Sequence, residues 1–182
     1  MYDGRKEADM KLYHTGNIEI RCPDILHGRK NADFGQGFYL TPDREFTYRW
    51  AGKESIVNEY DLDEKDLVIH RFHRDEEWFN YIFRNRRVQD TLSADVVIGP
   101  IANDTIFDTL GIISSGLLSP TDALKLLMIG PEYIQVAVKT DRAVKNLRWT
   151  GAEKITKLEK TLQKEEQEKY QAAFAAAMQE TL

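Results

Sequence analysis

The chain has 182 residues, of which 42% are hydrophobic and 30% charged, and it carries a formal net charge of −5. That length suits one domain with a real core plus an appendage, and no apolar run approaches the length of a bilayer span, so a helical membrane protein is excluded. The net negative charge argues against broad, sequence-independent binding to nucleic acid, which needs a basic surface to displace counterions; nucleic acid as a substrate stays open.

In chain order, residues 1–10 (MYDGRKEADM) carry both charge signs and no apolar core, so neither a secretory signal nor a transit peptide is expected. Residues 11–16 (KLYHTG) read as a strand, with His14 where the strand meets a polar turn. The single cysteine, Cys22, excludes an internal disulfide, fits a reducing compartment with cytoplasm as the default, and reads as a small packing residue. GRKNA at 28–32 and RNRRVQ at 84–89 are locally basic, and the second reads as a solvated face. DFGQGFYLT at 33–41 sets Gly35 and Gly37 beside a strand that must pack, which signals a turn, a bulge or close approach by a backbone or a ligand.

SIVNEYDL at 55–62 and DLVIHRF at 66–72 alternate as strands. DEEWFNYIFRNRR at 75–87 places Trp78, Phe79, Ile82 and Phe83 on one helical face. ADVVIGP at 94–100 is a short buried strand. Ser119 is a helix N-cap, followed by Pro120 at the first helical position and Asp122 three residues after the cap. EYIQVAVKT at 132–140 returns to strand, with Ile134, Val136 and Val138 alternating against Gln135, Ala137 and Lys139. From Gly151 onward the chain lacks proline and further glycine, and Ile155, Leu158, Leu162, Tyr170, Phe174 and Met178 recur at helical spacing. A long amphipathic C-terminal helix is expected there, free to dock on its own domain, pair with a copy of itself or bind a partner. Strands with helices inserted between them imply an α+β fold.

His14, Tyr39 and Gln135, on three separate strands, are candidates to line one cleft. Alone, His14 reads as a hydrogen-bonded structural residue. A mid-strand Gln135 would be costly to bury without partners. Asn103 and Asp104 follow a strand end, where they either cap the next helix or meet substrate. Arg29 precedes the glycine-containing stretch and has a planar fork suited to phosphate. Asp33 suits an Asx-type brace of the turn. His70 and His73, three apart on a strand, diverge to opposite faces, and no metal motif is present.

LYHTG, GRKNADFGQGFYLT, RWA, VVIGPIANDTIF and QVAVKT occur in that order, and together they resemble a bacterial domain-of-unknown-function family within the ADP-ribosyltransferase superfamily. The resemblance runs from residue 11 to about 149, which divides the chain into an N-terminal extension (1–10), an NAD-binding domain (11–149) and a C-terminal helix (150–182). It implies a split β-sheet core around a cleft for NAD+, used as co-substrate without a metal. It further implies that His14 bonds a ribose hydroxyl of NAD+, that the main chain at Thr15 holds the nicotinamide carboxamide, and that Tyr39 stacks on the nicotinamide ring. Gly16, Arg29, Asp33, Phe34, Gly35, Gly37, Asn103 and Asp104 complete the expected NAD+ contacts. Gln135 stands where one branch of the superfamily has a glutamate; an amide keeps a hydrogen bond to ribose and gives up the negative charge that stabilises an oxocarbenium ion.

On that resemblance the expected activity is transfer of a single ADP-ribose from NAD+ to a macromolecular acceptor, protein or nucleic acid. The setting it implies is a toxin held by an antitoxin, or phage defence, with the C-terminal helix as the contact for an antitoxin or a second copy. The alternatives are an NAD+ glycohydrolase and a non-catalytic domain that binds NAD+, ADP-ribose or a protein.

Overall fold

The computed structural model describes residues 9–52, 55–88, 90–102, 119–128 and 131–181. Two sheets organise them. The first has the order β1 (Met10–Gly16), β3 (Ile56–Leu62), β7 (Leu147–Lys154), and all its pairs are antiparallel. The second has the order β2 (Phe38–Leu40), β6 (Ile134–Val138), β5 (Val96–Pro100), β4 (Ile69–Arg71), with β4 and β5 parallel and the other pairs antiparallel. A single bridge, Tyr13 with Thr41, sews the first strand of one sheet to the end of β2 in the other. The architecture is α+β, and no helix among the described residues is long and apolar enough to cross a membrane.

Alternation along β5 and β6 sorts the core into two layers. Val96, Ile98, Val136 and Val138 face the first sheet and pack with Leu12, Phe38, Leu40, Tyr60 and Leu62. Val97 and Ala137 face the other way, toward helix α1 (Glu76–Asn85), whose Trp78, Phe79 and Ile82 close that layer with Phe34 and Phe72. Strand β6 is therefore buried on both faces. Both sets of its alternation are hidden, Gln135 and Ala137 on one face as well as Val136 and Val138 on the other.

Local chemistry explains the helix starts. Asp75 caps α1 by accepting from the Trp78 N–H at 3.0 Å, and Trp78 Nε1 then donates to the Pro100 carbonyl at 3.0 Å, which ties the helix to the end of β5. Helix α2 (Pro120–Leu127) begins as expected, with Ser119 accepting from the Asp122 N–H at 3.1 Å. Thr140 does the same for the short α3 (Asp141–Lys145), accepting from Ala143 at 3.2 Å.

Several expectations are corrected. Residues 151–154 belong to β7, not to the C-terminal helix, so strand structure crosses the boundary at 150; the helix α4 runs over Lys157–Thr181. Thr150 is an extra residue at the β3–β7 register shift, where Glu59 faces Gly151 and Tyr60 faces Trp149, and that bulge blurs the alternation. DLVIHRF contributes only three residues of strand. On α1, Asn85 is buried beside the three aromatic and aliphatic positions, while Phe83 is only half-buried. Cys22 is exposed rather than packed.

The two glycines of the 33–37 loop serve the chain itself. Gly35 has φ +78°, a left-handed conformation that favours glycine, and a Cβ there would lie 2.7 Å from Asp90 Oδ2. At Gly37 a Cβ would lie 2.7 Å from the Val138 carbonyl oxygen, so β2 can join β6 only without a side chain at that point. The close approach foreseen for these glycines is by backbone and by Asp90. Gly37→Ala is expected to cost about 1–3 kcal/mol by forcing β2 away from β6, read as a lower denaturation midpoint; an unchanged midpoint would show that the strands are free to separate there.

Candidate functional site

The open edge of β1 is the starting point. Tyr13 gives its N–H to the Thr41 carbonyl at 2.8 Å and accepts the Thr41 N–H at 3.0 Å. Strand alternation then turns the N–H and C=O of Thr15, two residues on, to the same side, away from β3. They have no hydrogen-bond partner among the described residues. Gly16 turns its own main-chain groups back toward Ile56, its partner in β3, so it offers no main-chain contact on the open side. The Thr15 hydroxyl donates to the Thr47 carbonyl at 2.9 Å, fixing the strand against the 3-10 helix Glu45–Trp50.

His14 lies beside this edge, with its ring 4.4 Å from that of Phe38. Its Nδ1 sits 2.7 Å from the Tyr39 carbonyl oxygen. A carbonyl can only accept, so Nδ1 carries the proton and, in the neutral ring, Nε2 presents a lone pair. Burial lowers the His14 pKa below 6.5, against the opposing pull of the Tyr39 carbonyl, so the neutral form prevails at neutral pH. The open amide edge and this acceptor are neighbours in sequence on one strand.

Tyr39 and Gln135 stand elsewhere. Alternation along β2 sends Phe38 toward the first sheet and Tyr39 toward α1, so the His14 and Tyr39 rings lie on opposite faces of β2 and meet only through the Tyr39 carbonyl. The Tyr39 hydroxyl closes its own loop: it donates to the Gly35 carbonyl at 2.7 Å and accepts from the Phe34 N–H at 2.9 Å. Burial raises its pKa well above the usual range for a phenol. Gln135 Nε2 donates to Asp33 Oδ2 at 3.0 Å and to the Pro100 carbonyl at 3.3 Å, and the residue is only 6% exposed. The three residues do not line one cleft, because the 33–37 loop lies folded over the face that Tyr39 and Gln135 share.

Asp33 is the centre of that folded loop. Its carboxylate accepts from Arg86 Nε at 2.8 Å and Nη2 at 2.5 Å, from Gln135, and from the Ala102 N–H at 3.3 Å, while its carbonyl accepts from Asn85 at 3.0 Å. The expected Asx brace and ligand contact are replaced by a buried ion pair whose side chains are 9% and 7% exposed. Phe34, expected to touch NAD+, has no exposed surface and packs in the α1 layer. Arg29 is exposed. Asn103 and Asp104 lie outside the described residues. Arg86 and Asn85 are the polar residues that sequence reasoning missed, and Arg86 corrects the reading of RNRRVQ as a wholly solvated face. Among the described residues no group of acidic, histidine or cysteine side chains could hold a metal ion.

The Thr15 main-chain groups, without a hydrogen-bond partner among the described residues, and the neutral His14 next to them form the candidate site. The model of a family described as "Protein of unknown function (DUF3990)" matches residues 10–149, and the chain belongs to that family. Neither the curated proteins nor the solved structures include a match.

Two outcomes test this geometry. His14 should titrate below 6.5 when followed by NMR; because the unfolded chain then takes up the proton first, acidification through 6.5 should weaken the fold, and a pKa above 6.5 would contradict the burial. Gln135→Glu would set a second carboxylate against Asp33. At neutral pH it should cost about 1–3 kcal/mol. Its pKa is raised in the folded state, so stability is lost as pH rises; the denaturation midpoint should approach that of the wild type at pH 5 and fall behind at pH 7.5. Equal gaps at both pH values would mean that the new carboxyl escapes Asp33.

Proposed function

We propose that the protein binds NAD+ at the open edge of β1 and transfers a single ADP-ribose to a macromolecular nucleophile. The observation that carries this reading is that the N–H and C=O of Thr15, beside the neutral His14, have no hydrogen-bond partner among the described residues. A planar carboxamide has one donor face and one acceptor face, and a strand residue with both main-chain groups free matches it as a neighbouring strand would. His14 Nε2 accepts from a ribose hydroxyl, and the Tyr39 carbonyl is the positioning group that keeps the ring in that tautomer. The resemblance of LYHTG and GRKNADFGQGFYLT to ADP-ribosyltransferases supports the same assignment.

In the reaction the bond between ribose C1′ and the pyridinium nitrogen breaks. Its electron pair leaves with nicotinamide and neutralises the pyridinium charge; the acceptor's lone pair forms the new bond at C1′ and the acceptor loses a proton. Held by Thr15 and His14, the nicotinamide ribose is oriented for that departure. The split β-sheet cleft, the toxin or phage-defence setting and a partner for the C-terminal helix belong to this proposal on the resemblance alone.

A second reading, a domain that binds NAD+ or ADP-ribose without turnover, is favoured by one observation. The Gln135 amide nitrogen is committed to Asp33 and Pro100, and the residue carries no charge to stabilise an oxocarbenium ion. Water as acceptor would make the protein an NAD+ glycohydrolase, with free ADP-ribose as product.

NAD+ labelled on its adenylate half, incubated with a bacterial lysate and then digested separately with protease and nuclease, tests the proposal. Label on a macromolecule is expected from the wild type and should fall at least 100-fold in His14→Ala. Thr15→Pro removes the edge N–H, which a strand edge tolerates, whereas Thr15→Val keeps it. Loss of transfer in Thr15→Pro with retention in Thr15→Val is expected. Equal transfer by both would overturn the main-chain contact, nicotinamide release without macromolecular label would select hydrolysis, and NAD+ binding without nicotinamide release would select the silent domain.

A further inference from the structure

A separate cleft of about 640 Å³ opens at the other end of the second sheet, between the residues that lead into β5 and the segment that follows β6. Its lining includes Lys30, Arg87, Lys139 and Arg142 against two carboxylates, Asp90 and Asp95. Both acids are spent on the fold. Asp90 accepts from the Tyr81 hydroxyl and the Leu92 N–H, each at 2.9 Å, and pairs with Lys139. Asp95 accepts from the Val68 N–H at 2.8 Å and the Thr140 hydroxyl at 2.7 Å, and it pairs with Arg142. The Arg142 hydrogen bond to Asp95 holds that carboxyl down at about 2, so it stays ionised and bound to its donors.

The cations are in surplus. Lys30 and Arg87 have no carboxylate partner among the described residues; Arg87 rests over the Phe83 ring, 3.7 Å from its centroid. Arg142 is 56% exposed and keeps guanidinium donors beyond those spent on Asp95. In a chain of net charge −5, a cleft with four cationic side chains and two neutralised carboxylates is an electropositive exception. Val68 and Val88, large hydrophobic residues exposed among the described residues, line the same cleft as Leu92 and add apolar area to it.

We propose that this cleft binds a nucleotide, with its phosphoryl group between Lys30 and Arg87 and its base against Val68, Val88 and Leu92. An anion needs donors that no internal acid already claims, and a base needs apolar area within a phosphate's reach. The inference does not depend on the NAD+ reading, since none of these residues belongs to the β1 edge.

The phosphoryl group can belong to a free nucleotide or to a phosphodiester, and two probes separate these sources: ADP, and a single-stranded DNA of about six nucleotides. Each is titrated into the wild type, the double variant Lys30→Ser with Arg87→Ser, and the charge-conserving Lys30→Arg with Arg87→Lys. Binding about ten-fold weaker in the serine variant and within about three-fold in the exchanged one is expected. His14→Ala should leave it unchanged. Loss confined to ADP assigns a free nucleotide, and loss confined to the oligonucleotide assigns a strand, whose log–log salt slope should also shrink by about 1.4. No binding of either probe to the wild type, or equal binding of the bound probe by wild type and serine variant, would overturn the proposal.

Discussion

The Asp33 carboxylate organises this molecule. An ionised carboxyl in a site this hidden is tolerable only when donors surround it, and here they arrive from three elements: Arg86 from the end of α1, Gln135 from β6 and the Ala102 N–H from beyond β5. Each donor fixes the position of its own element relative to the 33–37 loop. With the loop held, Phe34 lies over Gly99 and beside Val97 and Ala137, and the Tyr39 hydroxyl closes the turn. Gly37 then lets β2 reach β6, and the Tyr39 carbonyl comes out facing His14. A charge on one side of the sheet thereby sets a tautomer on the other.

That dependence gives Gln135 a reason that catalysis alone does not. A carboxylate already paired with one arginine still has lone pairs to fill, and an amide nitrogen fills one without adding charge. A glutamate in the same place would supply a second acceptor where a donor is needed. The chain spends buried charges on architecture around the second sheet, and at the β1 edge it sets the main-chain groups of Thr15 beside an imidazole whose burial keeps it uncharged.

The local signals were the legible ones. The Ser119 cap, the Trp78, Phe79 and Ile82 stripe and the strands at 56–62 and 134–138 follow from residues close in sequence, and each lies where the pattern puts it. What escaped reading depends on partners far away. Arg86 and Asp33 are 53 positions apart, so RNRRVQ looked like surface although its third residue is buried in an ion pair. Gly35 and Gly37 announced close approach correctly, but no local pattern could say that the approaching groups were Asp90 and Val138. At β7, a glycine and an extra residue opposite Glu59 erased the period-two alternation, and the helix-forming composition beyond it took over the reading. His14 and Thr15 were identified as candidates; the open main-chain edge beside them is a property of sheet pairing and has no sequence signature.

The C-terminal helix is joined to the same site through the Glu159 side chain. Thr156 and Glu159 form a reciprocal cap: the Thr156 hydroxyl accepts the Glu159 N–H at 3.3 Å, and the Glu159 carboxylate accepts the Thr156 N–H at 2.7 Å. The bonds from Thr156 lower the Glu159 pKa, so the carboxylate is charged when it accepts, at 2.9 Å, the Tyr48 hydroxyl of the 3-10 helix. That helix also supplies the Thr47 carbonyl to which Thr15 is tied. The group that starts α4 thus also holds the wall against which the β1 edge rests. The family match ends at residue 149, and the contact lies beyond it. The physical boundary of the site is therefore wider than the family's, and any ligand that shifts Thr15 works against the anchorage of α4.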